Sequence, residues 1–276
     1  MPSNPLLSIV TISFNQKAFL RHAIESVLAQ KTGDVEYIIV DPGSTDGSRD
    51  LITSYASQID QIIFKPDQGP ADGLNNGFAV ARGEVGYFLN SDDFLLPHGL
   101  SAMQKYWQSN TEADVLLCNG WLVDQAGLPL REMRARSTTL PHLIGPRGNM
   151  FQQGMSFRMS SFRECGGFNA NNTTCWDFEL LCTLLATGRS AQHLEQRIGA
   201  FRLHNASLTG GASGLHHQAK YKADMQRIIK KYGGQMDSTS ALSRFITNPA
   251  WHLSRLLDDC IPGRLSRRFA ADHKTI

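Results

Sequence analysis

Short apolar runs alternate with amphipathic segments along the first third of the chain. The apolar runs are bounded by turn-forming residues, as buried strands are, and they predict strands at 6–12, 35–40, 62–64 and 85–89. The segments between them have apolar residues three and four positions apart and predict helices at 17–30, 48–57 and 71–81. Strands separated by helices form right-handed βαβ units, so the pattern predicts an α/β fold with a mostly parallel sheet.

Polar residues follow each of these predicted strands. They lie at 13–15, 41–46, 67–69 and 90–93. The carboxyl ends of parallel strands meet at one edge of an open α/β sheet, and ligands bind at that edge. The four clusters therefore predict a ligand site built from successive strands.

The pattern becomes less regular beyond a predicted helix at 97–109. Further strands are predicted at 115–117, 121–123, 151–157 and 198–203, and further helices at 160–165 and 177–186. A hairpin turn is predicted at 124–127 and a loop of small residues at 207–214. From residue 215 the sequence is helical and basic, which predicts a domain over 1–214 and a helical extension over 215–276.

Composition narrows the class of protein. The chain has 276 residues, 41% of them apolar, and a formal charge of +2, which is ordinary globular composition. Five cysteines without a CxxC pair favour neither a disulfide framework nor a zinc site and indicate a reducing cytoplasm. No signal peptide or membrane-spanning run is recognisable, so we expect a soluble or peripheral cytoplasmic protein without a nucleic-acid partner.

Two acidic segments have the residue types of a phosphate or nucleotide site. Asp92 and Asp93 follow a buried strand, with Asn90 two positions before Asp92, and these oxygen ligands suit a hard divalent ion. The alternative is an Asx turn before the next helix. Asp41 follows the apolar run of another predicted strand and is placed to accept a hydrogen bond from a base or ribose. Capping of the helix that begins near residue 48 explains Ser44 well, but it does not explain Asp41.

Together these segments resemble the inverting family 2 nucleotide-sugar glycosyltransferases, in particular the bacterial branch that assembles polysaccharide or lipopolysaccharide of the cell envelope. The resemblance covers about residues 6–210 and rests on SIVTISFNQ, YIIVDPGSTDGS, KPDQGPADGLNNGFAVARGEVGYFLNSDD, GGF and WDFELLCTLLATG. It implies the GT-A fold, a Rossmann-like and mostly parallel sheet flanked by helices. It also implies a nucleotide-binding half over 1–110 and an acceptor-binding half over 111–214.

The resemblance assigns a donor site. Its nucleotide- and donor-binding positions correspond to Thr11, Ser13, Phe14, Asn15, Asp41, Gly43, Ser44, Asp67, Asp72, Asn90, Ser91 and Asp92. The last three occupy the family's DxD triplet, in which the final carboxylate contacts Mn²⁺ or Mg²⁺, and Asn90 brings no charge to the first position. Asp93 and His204 complete the implied metal set. Pro70 and Ala71 depart from the residues common in relatives, which affects the expected donor sugar.

The resemblance also assigns an acceptor site. Asp177 corresponds to the general base, Glu179 to a second acid, and Gln153 and Trp176 to residues near the acceptor. Three of the residues assigned by the resemblance have a structural alternative. Asp177 is alternatively a helix cap, Trp176 a core residue, and His204 a structural histidine.

The implied function is metal-dependent inverting transfer of a sugar from a nucleoside-diphosphate donor, with a UDP-sugar expected, to a glycan or lipid-linked acceptor. The alternative is a non-catalytic relative that binds a nucleotide sugar or glycan, with Asn90 marking a decayed metal site. A dinucleotide-binding enzyme is disfavoured because SFNQKAF, not GxGxxG, follows the first strand. The basic residues of 215–276 are interleaved with apolar ones, as in a segment that contacts an anionic membrane or one that caps the sheet.

Overall fold

One sheet organises the part of the chain that the computed structural model describes, residues 4–145, 148–204 and 214–234. Its strands, in chain order, are β1 (Leu7–Ile12), β2 (Val35–Val40), β3 (Gln61–Ile63), β4 (Val85–Asn90), β5 (Phe94–Leu95), β6 (Val115–Val123), β7 (Pro129–Met133), β8 (Met155–Arg158) and β9 (Ala191–Arg202). The spatial order is β3-β2-β1-β4-β8-β6-β9-β5, with β7 beside β6. Strands β3, β2, β1 and β4 are parallel to one another, as are β6 and β9, which confirms a mostly parallel α/β fold.

Helices cover both faces of this sheet. They are α1 (Lys17–Leu28), α2 (Ser48–Ser54), α3 (Pro70–Val80), α4 (Gly99–Ser109), α5 (Leu140–Ile144), α6 (Met159–Glu164), α7 (Trp176–Ala186) and α8 (Gly214–Lys231). Successive residues of a strand point to opposite faces. Ile9 of β1 accordingly packs with α1, α2 and α4, whereas Val10 packs with α3, α6, α7 and α8. None of the helices in these described ranges combines the length and apolarity needed to cross a membrane.

The second half of the chain departs most from the predicted elements. The two strands predicted at 115–117 and 121–123 are one strand, β6, because Asn119 is buried and its side chain bonds Ala135 and His193 instead of forming a turn. The predicted strand at 151–157 is divided between a 3-10 turn, Gln152–Gly154, and β8. Strand β9 begins seven residues before the predicted start at 198. The loop predicted at 207–214 lies almost wholly outside the described residues.

Glycines allow the 3-10 turn to lie directly on β6 and β9. A Cβ on Gly199 would come within 2.7 Å of the Gln153 carbonyl oxygen, and one on Gly120 would overlap the Phe151 ring and the Gly199 carbonyl. This close approach turns the side chains of Gln152 and Gln153 toward the carboxyl end of β4.

Helix α8 belongs to the same core as the preceding elements. Met225, Ile228 and Ile229 are buried in the cluster that contains α3 and α7. Helix α8 thus packs its apolar side on the same core as the sheet, and the boundary predicted at residue 215 stays a prediction. The remainder of the predicted extension, 235–276, lies outside the described residues.

Candidate functional site

A cavity of about 980 Å³ opens at the carboxyl edge of the parallel strands. It is large enough for a drug-sized ligand with space remaining. It brings together nine of the residues that the sequence assigns to the site: Ser13, Phe14, Asp67, Asn90, Ser91, Asp92, Gln153, Trp176 and Asp177. The other assigned residues are not on its wall: Thr11, Asn15, Asp41, Gly43, Ser44, Asp72, Asp93, Glu179 and His204.

The loop after β1 is tied to the turn after β2. The Asn15 backbone N–H donates to Ser44 Oγ at 2.8 Å, and Asn15 Oδ1 accepts from the Thr45 backbone N–H at 2.9 Å. Phe14, which precedes Asn15 in the chain, is 59% exposed and lines the cavity. Thr11 is instead fully buried and bonds the Tyr37 hydroxyl inside the sheet, so it does not reach a ligand in this cavity.

Asp41 organises the turn that follows it. Its Oδ1 accepts from the backbone N–H groups of Gly43 and Ser44 and from Arg49 Nε, and its Oδ2 accepts from Ser44 Oγ at 2.6 Å. The carboxylate is fully buried. The oxygens of Asp41 thus bond within the turn, and neighbouring Pro42 lines the cavity; the expectation that Asp41 meets the base stays a prediction.

The segment before α3 contributes a carboxylate to the cavity. Asp67 Oδ1 accepts from the Gly69 N–H at 3.0 Å, and burial raises the pKa of Asp67, with the nearby Asp72 and Asp41 charges raising it further. Asp72 is in the first turn of α3, where its Oδ2 accepts from the Gln68 N–H at 3.0 Å. Its geometry is that of a helix-start carboxylate, the alternative reading of its position.

Asn90 is the last residue of β4, and Asp93 lies in the turn that follows. Asn90 Nδ2 donates to Gln152 Oε1 at 3.2 Å and to Asp93 Oδ2 at 3.3 Å. Asp93 is fully buried, and it also accepts from Gln153 Nε2 at 2.6 Å and from the Arg202 N–H at 2.9 Å. Burial raises the pKa of Asp93 well above its usual range, and the Asp92 charge adds to this. The oxygens of Asp93 thus bond to residues of the fold in this structure, and its assignment as a metal ligand stays a prediction.

Asp92 is held toward the cavity by two residues at the end of β9. Its Oδ2 lies 3.0 Å from His204 Nε2, and its carbonyl accepts from Arg202 Nε at 2.8 Å. The Arg202 guanidinium lies over the rings of Phe19 and Phe94 at 5.2 and 5.1 Å. Arg202 thus holds the backbone carbonyl of Asp92 in the predicted triplet, a role that the sequence did not indicate.

The donor atoms at this turn fit a divalent ion. The described residues contain no group of three His, Cys, Asp or Glu side chains that could hold a metal on its own. The Asp92 carboxylate and the His204 imidazole are nevertheless adjacent, and the buried Asn90 Oδ1 has no hydrogen-bond partner in the described structure. An incomplete protein set of this kind suits Mg²⁺ or Mn²⁺, which retains further positions for phosphate oxygens and water.

Asp177 lies in the first turn of α7 and lines the same cavity. Its Oδ1 accepts from the Phe178 N–H at 2.8 Å, and no cation pairs with it among the residues described. Burial raises the pKa of Asp177 to about 6, against a smaller lowering by the backbone N–H groups of Phe178 and Asp177. A carboxylate with this pKa is ionised at neutral pH and still accepts a proton readily, as a general base must.

Three residues that line the cavity each have a buried polar atom without a partner. The atoms are Ser13 Oγ, Asn90 Oδ1 and Trp176 Nε1, each unpaired within the described structure. More than nine in ten buried polar groups in proteins are hydrogen-bonded, so these atoms mark a region in which polar groups are left unsatisfied.

Glu179 lies behind the wall. It is 3% exposed and accepts from Asn169, from Asn172 at 2.8 Å, and from both terminal nitrogens of Arg227 at 3.1 Å. These donors lower the pKa of Glu179 against the opposing effect of burial. The oxygens of Glu179 thus join α7 to α8 in this structure, and its assignment to the acceptor stays a prediction.

Residues of β7 and α8 also line the cavity, and the sequence reasoning missed them. They include Arg131, Met133 and Arg134 from the hairpin and Tyr221 from α8. The apolar stripe of α8, in which Tyr221, Met225, Ile228 and Tyr232 recur every three or four residues, was a signal that this helix packs onto the domain.

Proteins similar in sequence are glycosyltransferases by name. An uncharacterized glycosyltransferase of Nostoc sp. is 27% identical over 285 residues, covering 91% of this chain and 88% of that protein. A PGL/p-HBAD biosynthesis glycosyltransferase of Mycobacterium bovis is 29% identical over 191 residues, covering 64% of this chain and 70% of its own length.

Solved glycosyltransferase structures share the fold. S. aureus TarS in complex with UDP-GlcNAc matches with a TM-score of 0.63 at 15% identity, covering 95% of this chain and 77% of that one. The mannosyltransferase PcManGT of Pyrobaculum calidifontis, in complex with GDP-Man and Mn²⁺, matches with a TM-score of 0.66 at 12% identity, covering 99% and 80%. The expected GT-A-like arrangement, a mostly parallel sheet flanked by helices, is confirmed.

The sequence itself matches a known enzyme family over most of the sheet. The match to glycosyl transferase family 2 extends over residues 8–166, from β1 through α6. That span is more than half of the chain and includes the cavity residues from Ser13 to Gln153. The chain belongs to glycosyl transferase family 2 and is a glycosyltransferase.

Proposed function

We propose that the chain transfers a sugar, with inversion, from a nucleoside-diphosphate donor to a hydroxyl of a glycan or lipid-linked acceptor. The observation that carries this proposal is that Asp177, whose raised pKa suits a general base, lines the same cavity as Asn90, Ser91 and Asp92. Donor loops and a base that share one cavity are what direct displacement requires, because the acceptor oxygen must reach the anomeric carbon from the side opposite the leaving group.

The donor occupies the wall formed by Ser13, Phe14, Asp67, Asn90 and Asp92. The exposed Phe14 ring offers a face for a nucleobase, and Ser13 Oγ offers a hydroxyl that is otherwise unpaired in the described structure. The solved relatives bind UDP-GlcNAc and GDP-Man. A UDP-sugar is the first donor to test, with a GDP-sugar as the second.

Asp92 and His204, with Asn90 Oδ1, would hold Mn²⁺ or Mg²⁺. When bound, such an ion neutralises negative charge on the departing diphosphate. The protein's own contribution is orientation: Arg202 fixes the Asp92 carbonyl, and Gln152 and Asp93 fix the Asn90 amide so that its oxygen stays free. The Mn²⁺ in the related mannosyltransferase structure is consistent with this role.

Asp177 takes the proton of the acceptor hydroxyl. As that oxygen forms its bond to the anomeric carbon, the bond from that carbon to the diphosphate oxygen breaks and its electron pair leaves with the nucleoside diphosphate. Attack from the Asp177 side inverts the anomeric configuration. Trp176 and Gln153 line the cavity together with Asp177 and are the residues proposed to lie near the acceptor.

The acceptor belongs to the glycans or lipid-linked intermediates of a bacterial envelope, and residues 215–276 contact an anionic membrane that holds it. The second part rests on sequence alone, since 235–276 lie outside the described residues. We expect salt-sensitive co-sedimentation with liposomes that contain anionic lipid, because clustered Lys and Arg near a surface bind it electrostatically. Loss of sedimentation on truncation after Gly234 supports this contact, and sedimentation that survives the truncation contradicts it.

The transfer proposal is tested with purified protein, Mn²⁺, and UDP-GlcNAc or GDP-mannose as donor, against a panel of p-nitrophenyl glycosides. Nucleoside diphosphate release gives the rate, and NMR of the product gives its anomeric configuration. Asp177→Asn is expected to remove transfer, whereas Asp50→Asn, an exposed acid of α2, leaves it unchanged. Retained turnover in Asp177→Asn refutes the assignment of Asp177 as the base. A product with the anomeric configuration of the donor refutes inversion, and full activity in EDTA refutes the requirement for a metal ion.

A further inference from the structure

Tyr221 places α8 at the wall that carries the base. Its side chain is partly buried, packs against the core cluster and lines the cavity beside Trp176 and Asp177. Burial raises the pKa of the Tyr221 phenol, and the Asp177 charge raises it further, so the two side chains lie within electrostatic reach. Tyr221 comes from an element outside the span matched to the family.

The contacts of α8 converge on the segment that presents Asp177. Arg227 donates through both terminal nitrogens to the two oxygens of Glu179, each at 3.1 Å. Asp224 Oδ2 accepts from the Thr174 hydroxyl at 2.7 Å. The Tyr232 and Thr183 hydroxyls are 2.9 Å apart. These contacts are made to residues on both sides of Asp177 in the sequence. Thr174 precedes it, and Glu179 and Thr183 follow it in α7.

The Glu179–Arg227 pair has the geometry of a rigid connection. A two-pronged arginine–carboxylate pair restrains orientation as well as distance. Asn169 and Asn172 occupy further positions on the same carboxylate, which is almost completely buried. Displacement of Arg227 would therefore loosen the start of α7 and the placement of Tyr221 together.

The outer face of α8 is different in character. Lys220 and Lys222 are exposed, whereas Tyr221 between them faces the domain. Replacing Lys222 therefore changes the helix surface without touching the cavity, which makes Lys222→Ala a matched control on the same turn.

We propose that α8 forms the acceptor wall: Tyr221 contacts the acceptor sugar and determines its specificity, and Glu179 with Arg227 is a positioning pair that aligns Tyr221 with Asp177. This rests on the proposed function, because it requires that an acceptor approaches Asp177. An aromatic face beside the base stacks on the apolar face of a pyranose ring, so the acceptor class is a pyranoside.

The first test separates acceptor binding from donor chemistry. It compares Tyr221→Ala, Tyr221→Phe and the control Lys222→Ala, with UDP-GlcNAc or GDP-mannose and Mn²⁺, against p-nitrophenyl pyranosides and against water as acceptor. We expect Tyr221→Ala to raise the pyranoside KM by about tenfold or more, while donor hydrolysis changes less than about twofold. Tyr221→Phe retains the ring and stays near the natural KM. An unchanged KM in Tyr221→Ala refutes the acceptor contact.

The second test addresses the positioning pair. Glu179→Gln and Arg227→Met are expected to lower kcat by about tenfold with a smaller change in donor affinity, and Arg227→Lys, which cannot reproduce a two-pronged contact, is expected to fall between them and the natural protein. Equal losses of donor affinity and kcat in all three would identify α8 as merely structural and overturn the proposal.

A third measurement does not depend on turnover. The carboxyl carbon of Asp177 is titrated by NMR in protein labelled at aspartate carboxyls, with Asp177→Asn giving the assignment. Tyr221→Ala admits water to Asp177 and is expected to lower its pKa toward 3.8, whereas Lys222→Ala does not. An unmoved titration shows that Tyr221 does not cover Asp177. If the natural protein transfers from neither donor, the proposed function fails separately, and this titration still decides whether α8 encloses Asp177.

Discussion

Asp177→Asn is expected to make the protein more stable while it removes transfer. The carboxylate is partly buried and has no cation partner among the described residues, and burial opposes its ionisation at neutral pH. Asparagine has the same shape, and its Oδ1 can accept the same Phe178 N–H at 2.8 Å. The substitution therefore removes a buried charge and leaves the packing unchanged.

The size of the effect follows from the pKa of Asp177, about 6 in the folded protein against an ordinary value of 3.8. A folded-state pKa above the unfolded value means that the folded chain binds the proton more tightly, so stability falls as the pH rises from 3.8 through 6. The cost reaches about 3 kcal/mol at pH 8 and is about 1 kcal/mol at pH 4.5. Asp177→Asn, which does not titrate, gains those amounts relative to the natural protein.

Urea unfolding at pH 8 and pH 4.5 measures this difference. We compare the natural protein, Asp177→Asn and the exposed control Asp50→Asn, for which no pH-dependent gain is expected. A gain of about 3 kcal/mol corresponds to a rise in Tm of about 6–12 °C in a domain of this size. A gain that is equal at both pH values, or a loss at pH 8, would refute the argument that burial raises this pKa.

Three further predictions concern the glycines and the metal set. Gly120→Ala forces a Cβ into the Phe151 ring and should lower the free energy of unfolding by about 3 kcal/mol in urea; an unchanged midpoint contradicts this. Gly73→Ala places a Cβ 2.6 Å from Asp67 Oδ2, so calorimetry should show about tenfold weaker UDP binding with Mn²⁺ at nearly constant Tm. His204→Ala should raise the Mn²⁺ concentration for half-maximal rate about tenfold, and an unaltered requirement would exclude His204 as a ligand.

The donor half was predictable because its signals are local. Each strand there is a short apolar run, each helix has one apolar face, and the strand-end clusters meet at one edge through parallel pairing alone. Ser13, Phe14, Asp67 and Asn90 consequently reach the cavity as expected. Asp41 and Asp93 do not, since a sequence shows that a carboxylate follows a strand but not which backbone N–H groups will surround it.

The acceptor half depends on contacts between residues far apart in the chain. Asn119 and Gly120 resemble a turn, yet β6 continues through them because β9 pairs along their length. Glu179 is an acid two positions after the proposed base. Its carboxylate is nevertheless bound by Arg227, which lies 48 positions later in the chain. Neither pairing leaves a periodic signal. The spacing of apolar residues in α8 indicated that this helix packs on the domain, but no local pattern indicated that Tyr221 reaches the cavity or that Arg202 holds Asp92.

The attachment of α8 to α7 also fixes when the enzyme becomes competent during synthesis. Domains fold from the N-terminus as the chain leaves the ribosome at about 5–20 residues per second. The donor wall is complete once Asp92 and its partner His204 have emerged, but Asp177 is not enclosed until Arg227 and Tyr221 follow. A nascent chain can thus form the proposed donor site before the proposed base is aligned, so we expect donor binding to appear before transfer as the chain is made.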